Sequence, residues 1–561
     1  MQKIDLNKKL VFISIFLTVF ILGTILMLIL PVNVKATYNK TVKTIDGETI
    51  SFNVFEPRRV GVNKKAIILG HGIMSNKEML KGYALELAAA GFVAVPLDFR
   101  GHGQSTGELK RDFLVNDINA IISYLNARGD VNTSALGYFG FSMGGGPGIK
   151  IVNQSTDFKC FIGAGTWLPN DVRKGNSTHP LNILMILGRY DELITPEDLK
   201  EGLSDYTGIV SEDLDVNRLY GSFQDGNAAM IYLDDNTNHV LGDWDPDFIR
   251  EARNFALNSF PDVKPIDENF YANIRLTILF LQLIGGLVFF GLIIGPTSRL
   301  ILKSRDENFE LETENETLVK FTGKTIGYSL IFGIPGILLF VPIILIVFLA
   351  VAGFITALLF GQAFGILVLL WRIEKKQNKK LIETIKSSFK MPKSDLIRQL
   401  LLGAILAILL TVIIYLSGGL HYIGMIPSIT KIPWVPLYFI FLFIIFTIFG
   451  IIFHGIIQNK FERTIRSLVK SSLIIFGLQF LYMFTILLII ALIMGSFFYF
   501  GSFIPLAIPL FLMNSFISTL IYDKTKSIIP VALVNTLFFT LLICTISPYQ
   551  SGLSFIFGFF H

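Results

Sequence analysis

Cysteine is almost missing from this chain. Only Cys160 and Cys544 occur in 561 residues, far apart and in different surroundings, which excludes a disulfide framework and a cysteine metal cluster. Charge is scarce too: 16% of residues are charged and 52% are hydrophobic, where a soluble domain carries about 25% charged residues. That balance excludes one ordinary soluble globule and also a disordered chain. No His-Glu-x-x-His or other metal-ligand spacing occurs, so a metalloenzyme is disfavoured and no cofactor is expected. Nucleic acid is not expected as a partner.

The missing charges are missing in blocks. Leu10 to Leu30 and Leu276 to Ser298 hold no Asp, Glu, Lys or Arg, and each is long enough to cross a bilayer core. Thr325 to Trp371 is uncharged over a length that suits two spans joined by a tight turn near Ala352-Gly353. Gln399 to Thr430 and Ile432 to Asn459 each hold one span. Ser471 to Tyr522 holds two, with a turn near Gly495-Ser496, and Ser527 to His561 holds a last one. The expectation is one N-terminal helix and eight C-terminal ones.

Orientation follows from Lys and Arg in short loops. If the N-terminus is cytoplasmic, the inner segments collect Lys3, Lys8 and Lys9, then Arg299, Lys303, Arg305, Lys320 and Lys324. They also collect the basic set from Arg372 to Arg398, then Lys460 to Lys470, then Lys524 and Lys526. The short outer loops keep Lys431. The reading is a multi-pass protein of the cell membrane, with the lipid bilayer as partner and residues of about 31–275 outside the cytoplasm. The first apolar run is longer than the core of a signal peptide, so it reads as an uncleaved anchor despite the weak cleavage-like Val34-Lys35-Ala36.

Three domains result: residues 1–36, a cytoplasmic N-terminus and anchor helix; residues 37–267, a charged and mixed segment; and residues 268–561, a membrane domain of about eight helices. In the middle segment, short apolar runs at Ala66–Gly70, Phe92–Val95, Ala135–Phe139, Phe158–Gly163, Asn182–Leu187 and Ala228–Leu233 read as buried strands. Helical patterns such as Lys77–Ala90 and Phe113–Arg128 lie between them. Strands alternating with helices predict an α/β domain, mostly parallel and covered on both faces.

After one such strand comes Gly140-Phe141-Ser142-Met143-Gly144, a Gly-x-Ser-x-Gly pattern. Small neighbours let the backbone fold back sharply from strand to helix and leave the serine exposed at the sheet rim. A serine hydroxyl needs a base to take its proton, and the base needs an acid to orient it. Asp191 follows the strand ending near Leu187, and His239 follows the last strand by a few residues. Asp234 and Asp235 are rival orienters. His71 and His102 read as structural loop residues.

With His71-Gly72, Asp98-Phe99-Arg100-Gly101-His102-Gly103-Gln104-Ser105, the serine turn, Gly188-Arg189-Tyr190-Asp191 through Pro196 and His239 in hand, the segment resembles the α/β-hydrolase superfamily over about residues 37–267. The resemblance implies a serine hydrolase with Ser142, Asp191 and His239 as catalytic residues. It also implies an oxyanion hole made by the backbone N–H groups of Ile73 and Met143. The expected function is cleavage of an ester or amide outside the cytoplasm, esterase or acyl hydrolase ahead of peptidase, on an acyl ester, lipid or peptide. The alternative is a transporter or receptor-like protein whose hydrolase-fold domain only binds. Little sequence lies between the strand after Ser142 and the strand before Asp191, so an open mouth is expected unless the membrane or the Leu199–Asp225 insertion covers it.

A fainter resemblance lies in the membrane part. Phe453-His454-Gly455-Ile456-Ile457-Gln458-Asn459 and Tyr522 to Asn535 resemble segments of the CAAX-protease and bacteriocin-processing membrane family. That family needs a Glu-Glu pair where this chain has Phe449-Gly450, and a His where it has Val531. The resemblance therefore implies an inactive relative. The remaining polar residues of the spans, Gln282, Gln362, Gln479 and Asn514 among them, read as interhelical hydrogen-bond formers.

Overall fold

In a computed structural model of the chain, the described residues are 6–58, 61–302 and 316–554. Lys3, Lys303 and Arg305, which entered the orientation argument, lie outside them. The chain starts with an apolar helix, α1 (Leu6–Ile29), then enters a sheet domain. Its elements are β1 (Val34–Lys43), β2 (Thr49–Pro57), β3 (Lys64–Gly70), α2 (Lys81–Ala89), β4 (Val93–Leu97), α3 (Leu114–Arg128), β5 (Val131–Phe141), α4 (Gly145–Gln154), β6 (Phe158–Ala164), β7 (Asn182–Gly188), α5 (Pro196–Thr207), β8 (Ala229–Asp234) and α6 (Pro246–Ser259).

The eight strands form one sheet in the order β1-β2-β4-β3-β5-β6-β7-β8. From β4 to β8 all pairings are parallel, while β1 and β2 add an antiparallel edge. The central strands are buried on both sides, as their unbroken apolar runs require. One core packs Ile68, Val95, Tyr138 and Phe161 with Ile118 and Ile121 of α3. The opposite core packs Ile67, Phe139 and Ile162 with α2 and α6. The six apolar runs of the sequence are the six strands β3 to β8. The edge pair β1-β2 was not expected, because β1 is half-exposed along its length and alternates only loosely.

The second body is a helix bundle: α7 (Ala272–Ile301), α8 (Leu318–Ile346), α9 (Ala350–Lys376), the short α10 (Leu381–Ser387), α11 (Lys393–Ile414), α12 (Val435–Phe449), α13 (Ile465–Met494), α14 (Phe498–Thr525) and α15 (Ile528–Ile546). Wider π turns extend α11 through Tyr415–Ile423 and α12 through Gly450–Ile457. Together with α1, nine helices among the described residues are long and apolar enough to cross a membrane. The turn between α8 and α9 falls at residues 347–349, before Ala352-Gly353, because Leu349 takes the left-handed conformation and opens α9.

Helix α1 belongs to this bundle. Gln282 of α7 donates to Thr24 Oγ1 at 2.8 Å and to Leu416 O at 3.1 Å, and Arg275 Nη1 donates to Met27 O and Leu30 O. The sheet domain sits on the end of the bundle where α1 finishes and α7 begins. Asn76 Nδ2 donates to Ile423 O at 2.6 Å, and Trp244 Nε1 to Tyr422 O at 2.9 Å. Leu109 and Tyr549 join through paired backbone bonds with Gly101. Lys81 of α2 is buried against His421, 2.7 Å away, and lies over the Tyr38 ring. Burial there pushes the Lys81 ammonium well below its ordinary range.

Candidate active site

Strand β5 ends in the middle of the sheet, and the chain turns at once into α4 through a single 3-10 turn at Ser142–Gly144. Ser142 holds a positive φ of 48°, a conformation that costs a non-glycine residue about 1–3 kcal/mol and survives only where the surroundings impose it. Two glycines permit the fold-back. A Cβ on Gly140 would lie 2.7 Å from Gly144 O, and one on Gly144 would lie 2.3 Å from Gly70 O. The Tyr138 hydroxyl donates to Gly144 O at 2.8 Å and pins the turn to the strand.

The turn lifts Ser142 Oγ to 2.9 Å from His239 Nε2. On the far side of the ring, Nδ1 lies 2.8 Å from Asp191 Oδ2. Asp191 stands just past the C-terminal end of β7. Its other oxygen, Oδ1, accepts the N–H groups of Leu193 and Ile194 at 2.9 and 3.1 Å, so the carboxylate is locked with one oxygen free for the imidazole. Both His239 and Asp191 side chains are nearly inaccessible. The three residues named from the sequence thus meet in one hydrogen-bonded line. Asp234 spends its carboxylate on the N–H groups of Asn236 and Thr237, and does not reach the histidine.

Gly72 and Ile73 border the same space as Ser142. His71 explains how their shared peptide is held: its Nδ1 donates to Gly72 O at 2.7 Å, while its Nε2 accepts the Phe99 N–H at 3.0 Å. In a trans peptide the N–H points opposite to the C=O, so anchoring Gly72 O turns the Ile73 N–H the other way. Burial holds the His71 imidazole down to about 4, against the pull of Asp98 and the Gly72 carbonyl. His102 supports the same loop by bonding Ile73 O at 2.6 Å. Met143 follows Ser142 within the turn. Beneath them, Lys77 Nζ meets Asp98 at 2.6 Å, both side chains buried.

Four neighbours went unseen in the sequence. Glu192 accepts the backbone N–H of His239 at 3.3 Å and Asn238 Nδ2 at 3.1 Å. Asn238 Nδ2 also donates to Gly501 O, on α14. Phe498, at the start of α14, meets the His239 ring edge-on at 5.7 Å between centroids. Asp243 lies close by, and burial pushes its carboxyl up to about 7 while the Ser75 hydroxyl and His239 pull it down. Glu192 carried a faint signal, its adjacency to Asp191. Phe498 carried none, since only folding brings the bundle to the histidine.

The mouth is partly covered. A cavity of about 310 Å³ begins at Ser142 and His239 and runs between the helices of the bundle. The covering element is the bundle itself; nothing from the Leu199–Asp225 insertion lines the cavity, and α5 within that stretch packs at the β8 edge of the sheet.

Strand order, the sharp serine turn and the late histidine identify the sheet domain. It has the α/β-hydrolase fold. Residues 61–202 match the family model described as serine aminopeptidase, S33. An uncharacterized 31.7 kDa protein of Escherichia coli is 28% identical over 134 residues, which is 23% of this chain and 46% of that protein. A Mycobacterium tuberculosis protein, also uncharacterized, is 26% identical over 20% of this chain and 40% of its own length. The chain therefore spans less than half the length of these curated relatives. Among solved structures, an esterase of Pyrococcus furiosus is 16% identical, with 39% of this chain and 91% of the esterase covered at a TM-score of 0.31. A predicted hydrolase of Thermoplasma acidophilum is 18% identical, with coverage of 40% and 99% and a TM-score of 0.29.

In the bundle, the segments around His454 and Asn535 lie against each other. Phe449, Gly450, His454, Val531 and Asn535 surround a space of about 10 Å³. His454 Nδ1 lies 2.6 Å from Gln458 Oε1, and Ser518 pairs with Asn535. No carboxylate borders that space among the described residues.

Proposed function

We propose that the protein is a membrane-integrated serine hydrolase that transfers an acyl group to water. The observation that carries this reading is the unbroken line from Ser142 Oγ through His239 to Asp191, with 2.9 and 2.8 Å steps. Ser142 Oγ attacks the substrate carbonyl carbon as its proton passes to His239 Nε2. Asp191 holds the ring by Nδ1–H and stabilises the imidazolium. The carbonyl oxygen gains the negative charge, and the N–H groups of Ile73 and Met143 receive it; each such donor contributes about 3–4 kcal/mol to the barrier reduction. The imidazolium then protonates the departing alcohol or amine, leaving an acyl-Ser142 ester. Water attacks that ester by the same route in reverse, releasing the acid and restoring the serine.

The membrane assignment rests on the nine long apolar helices among the described residues. The orientation rests on the basic residues at the bundle end opposite the hydrolase domain, where Lys9, Arg299 and Lys524 gather. On this reading the hydrolase domain faces away from the cytoplasm.

A fluorophosphonate probe tests the chemistry: covalent label on the purified protein, absent in Ser142→Ala, is expected. Wild-type protein that takes no label would overturn the assignment. Protease added to intact cells tests the orientation. Cleavage within the exposed loops of residues 37–267 is expected, and protection until lysis would reverse it.

A further inference from the structure

We propose that the substrate is an ester of a long-chain acyl group drawn from the bilayer, its hydrocarbon chain lying in the cavity that runs from Ser142 into the bundle; this rests on the serine-hydrolase reading above.

The cavity has the depth of a lipid tail. Phe498, Ser502, Leu506, Pro509 and Met513 of α14 line it, and their spacing of three and four residues puts them on one helix face. At 1.5 Å per residue, that face follows the cavity for about 22 Å. One leaflet of a bilayer core is about 15 Å deep, so the space extends past the reach of a small soluble ester.

Its polarity is graded as an amphiphile would require. Near the reacting serine, Ser502 Oγ is buried with no hydrogen-bond partner among the described residues, and the buried Asp243 carboxyl and Ser75 hydroxyl face each other, which leaves polar groups within reach of the oxygens of an ester and its alcohol. Farther in, the walls are hydrocarbon, from Leu283 of α7 to Phe538 and Leu542 of α15. A peptide laid along those walls would leave its amides unpaired, at a cost of several kcal/mol for each group. An acyl chain has nothing to pair, and each buried methylene is favourable by up to about fourfold in affinity. The volume falls within the range of small-molecule sites. The walls are helices that themselves meet lipid, so the chain need not cross water to arrive.

A chain-length series of p-nitrophenyl esters, from acetate to palmitate, tests this on the protein reconstituted in dioleoylphosphatidylcholine vesicles. The dodecanoate is expected to exceed the acetate in kcat/KM by at least about fiftyfold. In Leu283→Trp and Met513→Trp, which fill the cavity, that long-to-short ratio drops at least tenfold. In Leu281→Trp, on the exposed face of α7, the ratio stays as in wild type. A ratio near one in wild type, or one that the filling variants leave alone, overturns the inference while leaving the hydrolase reading intact. Absence of both hydrolysis and fluorophosphonate label sinks the hydrolase reading instead. Binding is then read separately, on Ser142→Ala, with a palmitate ester carrying a diazirine at the chain end. Crosslinks in α14 and α15 that vanish in Met513→Trp support the chamber; crosslinks confined to the soluble surface refute it. Long esters cleaved only when delivered on albumin, and never from vesicles, overturn the bilayer as source.

Discussion

Ser142 and His454 each stand where polar side chains gather inside apolar surroundings. Around Ser142 the polar groups form a directed line, hydroxyl to imidazole to carboxylate, and the line ends on a cavity of about 310 Å³. Around His454 they close on one another: Gln458 bonds the imidazole and Thr519 O, Asn535 bonds Ser518, and Ser515 bonds Gln479. The space left there is about 10 Å³, room for roughly one water. A cluster of polar groups is therefore not in itself a site. Chemistry needs polar groups in line and space for a substrate beside them, and the first cluster has that geometry. The second has become interhelical bonding of the kind that holds any bundle together.

The contrast breaks or sharpens by mutation. The largest effect is expected at Ser142→Ala, which lowers kcat/KM for a short p-nitrophenyl ester by about 10⁴-fold or more, and Asp191→Asn approaches it, because the wrong imidazole tautomer faces the serine. If Ser142→Ala hydrolyses the ester as well as wild type does, the two clusters are alike and neither is catalytic.

A stability effect comes next. Asp98→Asn removes the closest charge partner of the buried Lys77 ammonium and leaves it Gln104 Oε1 at 3.2 Å and Glu78 Oε1 at 3.9 Å, which costs up to about 3–5 kcal/mol and should appear as a lower denaturation midpoint of the hydrolase domain. A midpoint equal to wild type would show that the ion pair beneath the Gly72–Ile73 loop is dispensable.

Acid sharpens the comparison further. The folded state keeps His71 neutral down to about 4, while an unfolded chain protonates it near 6.5. The depressed folded value means the contribution is complete above pH 6.5 and is lost as pH falls from 6.5 toward 4, up to about 3 kcal/mol in all. The thermal midpoint of the purified protein should fall over that window, and more shallowly in His71→Asn. A parallel decline in the variant would assign the acid sensitivity elsewhere.

The smallest effect is reserved for the bundle. His454→Ala leaves Gln458 Oε1 without its partner, at about 1–3 kcal/mol, and changes ester hydrolysis less than threefold. A loss comparable to Ser142→Ala would mean that the His454 cluster takes part in the reaction.

Much of this molecule was legible from local pattern. The long apolar helices could be read because about 20 consecutive apolar residues are what a bilayer core would require, and α7, α13 and α14 run within a few residues of the expected ends. Strands β3, β4, β6 and β7 could be read because burial on both faces leaves them almost wholly apolar, and β5 and β8 because each keeps an apolar run; β2 is as buried but its run is broken by Ser51 and Asn53. The edge strand β1, VKATYNKTVK, could not, since half-exposure permits a mixed sequence. The π turns after α11 and α12 were not read from the sequence either.

The sequence by itself determined which three side chains could do the chemistry, because a sharp Gly-x-Ser-x-Gly turn and two strand ends confine each to the same rim of a sheet. It also determined which helices among the described residues are long and apolar enough to cross a bilayer, because the cost of burying charge in hydrocarbon is paid residue by residue. Tertiary structure alone decided what covers that rim. The contact of Phe498 with His239, the bond from Asn238 to Gly501, and the passage between α7, α14 and α15 depend on how two separately legible bodies dock. Docking is governed by shape and by a few hydrogen bonds across hundreds of residues of chain, for which no local periodicity exists.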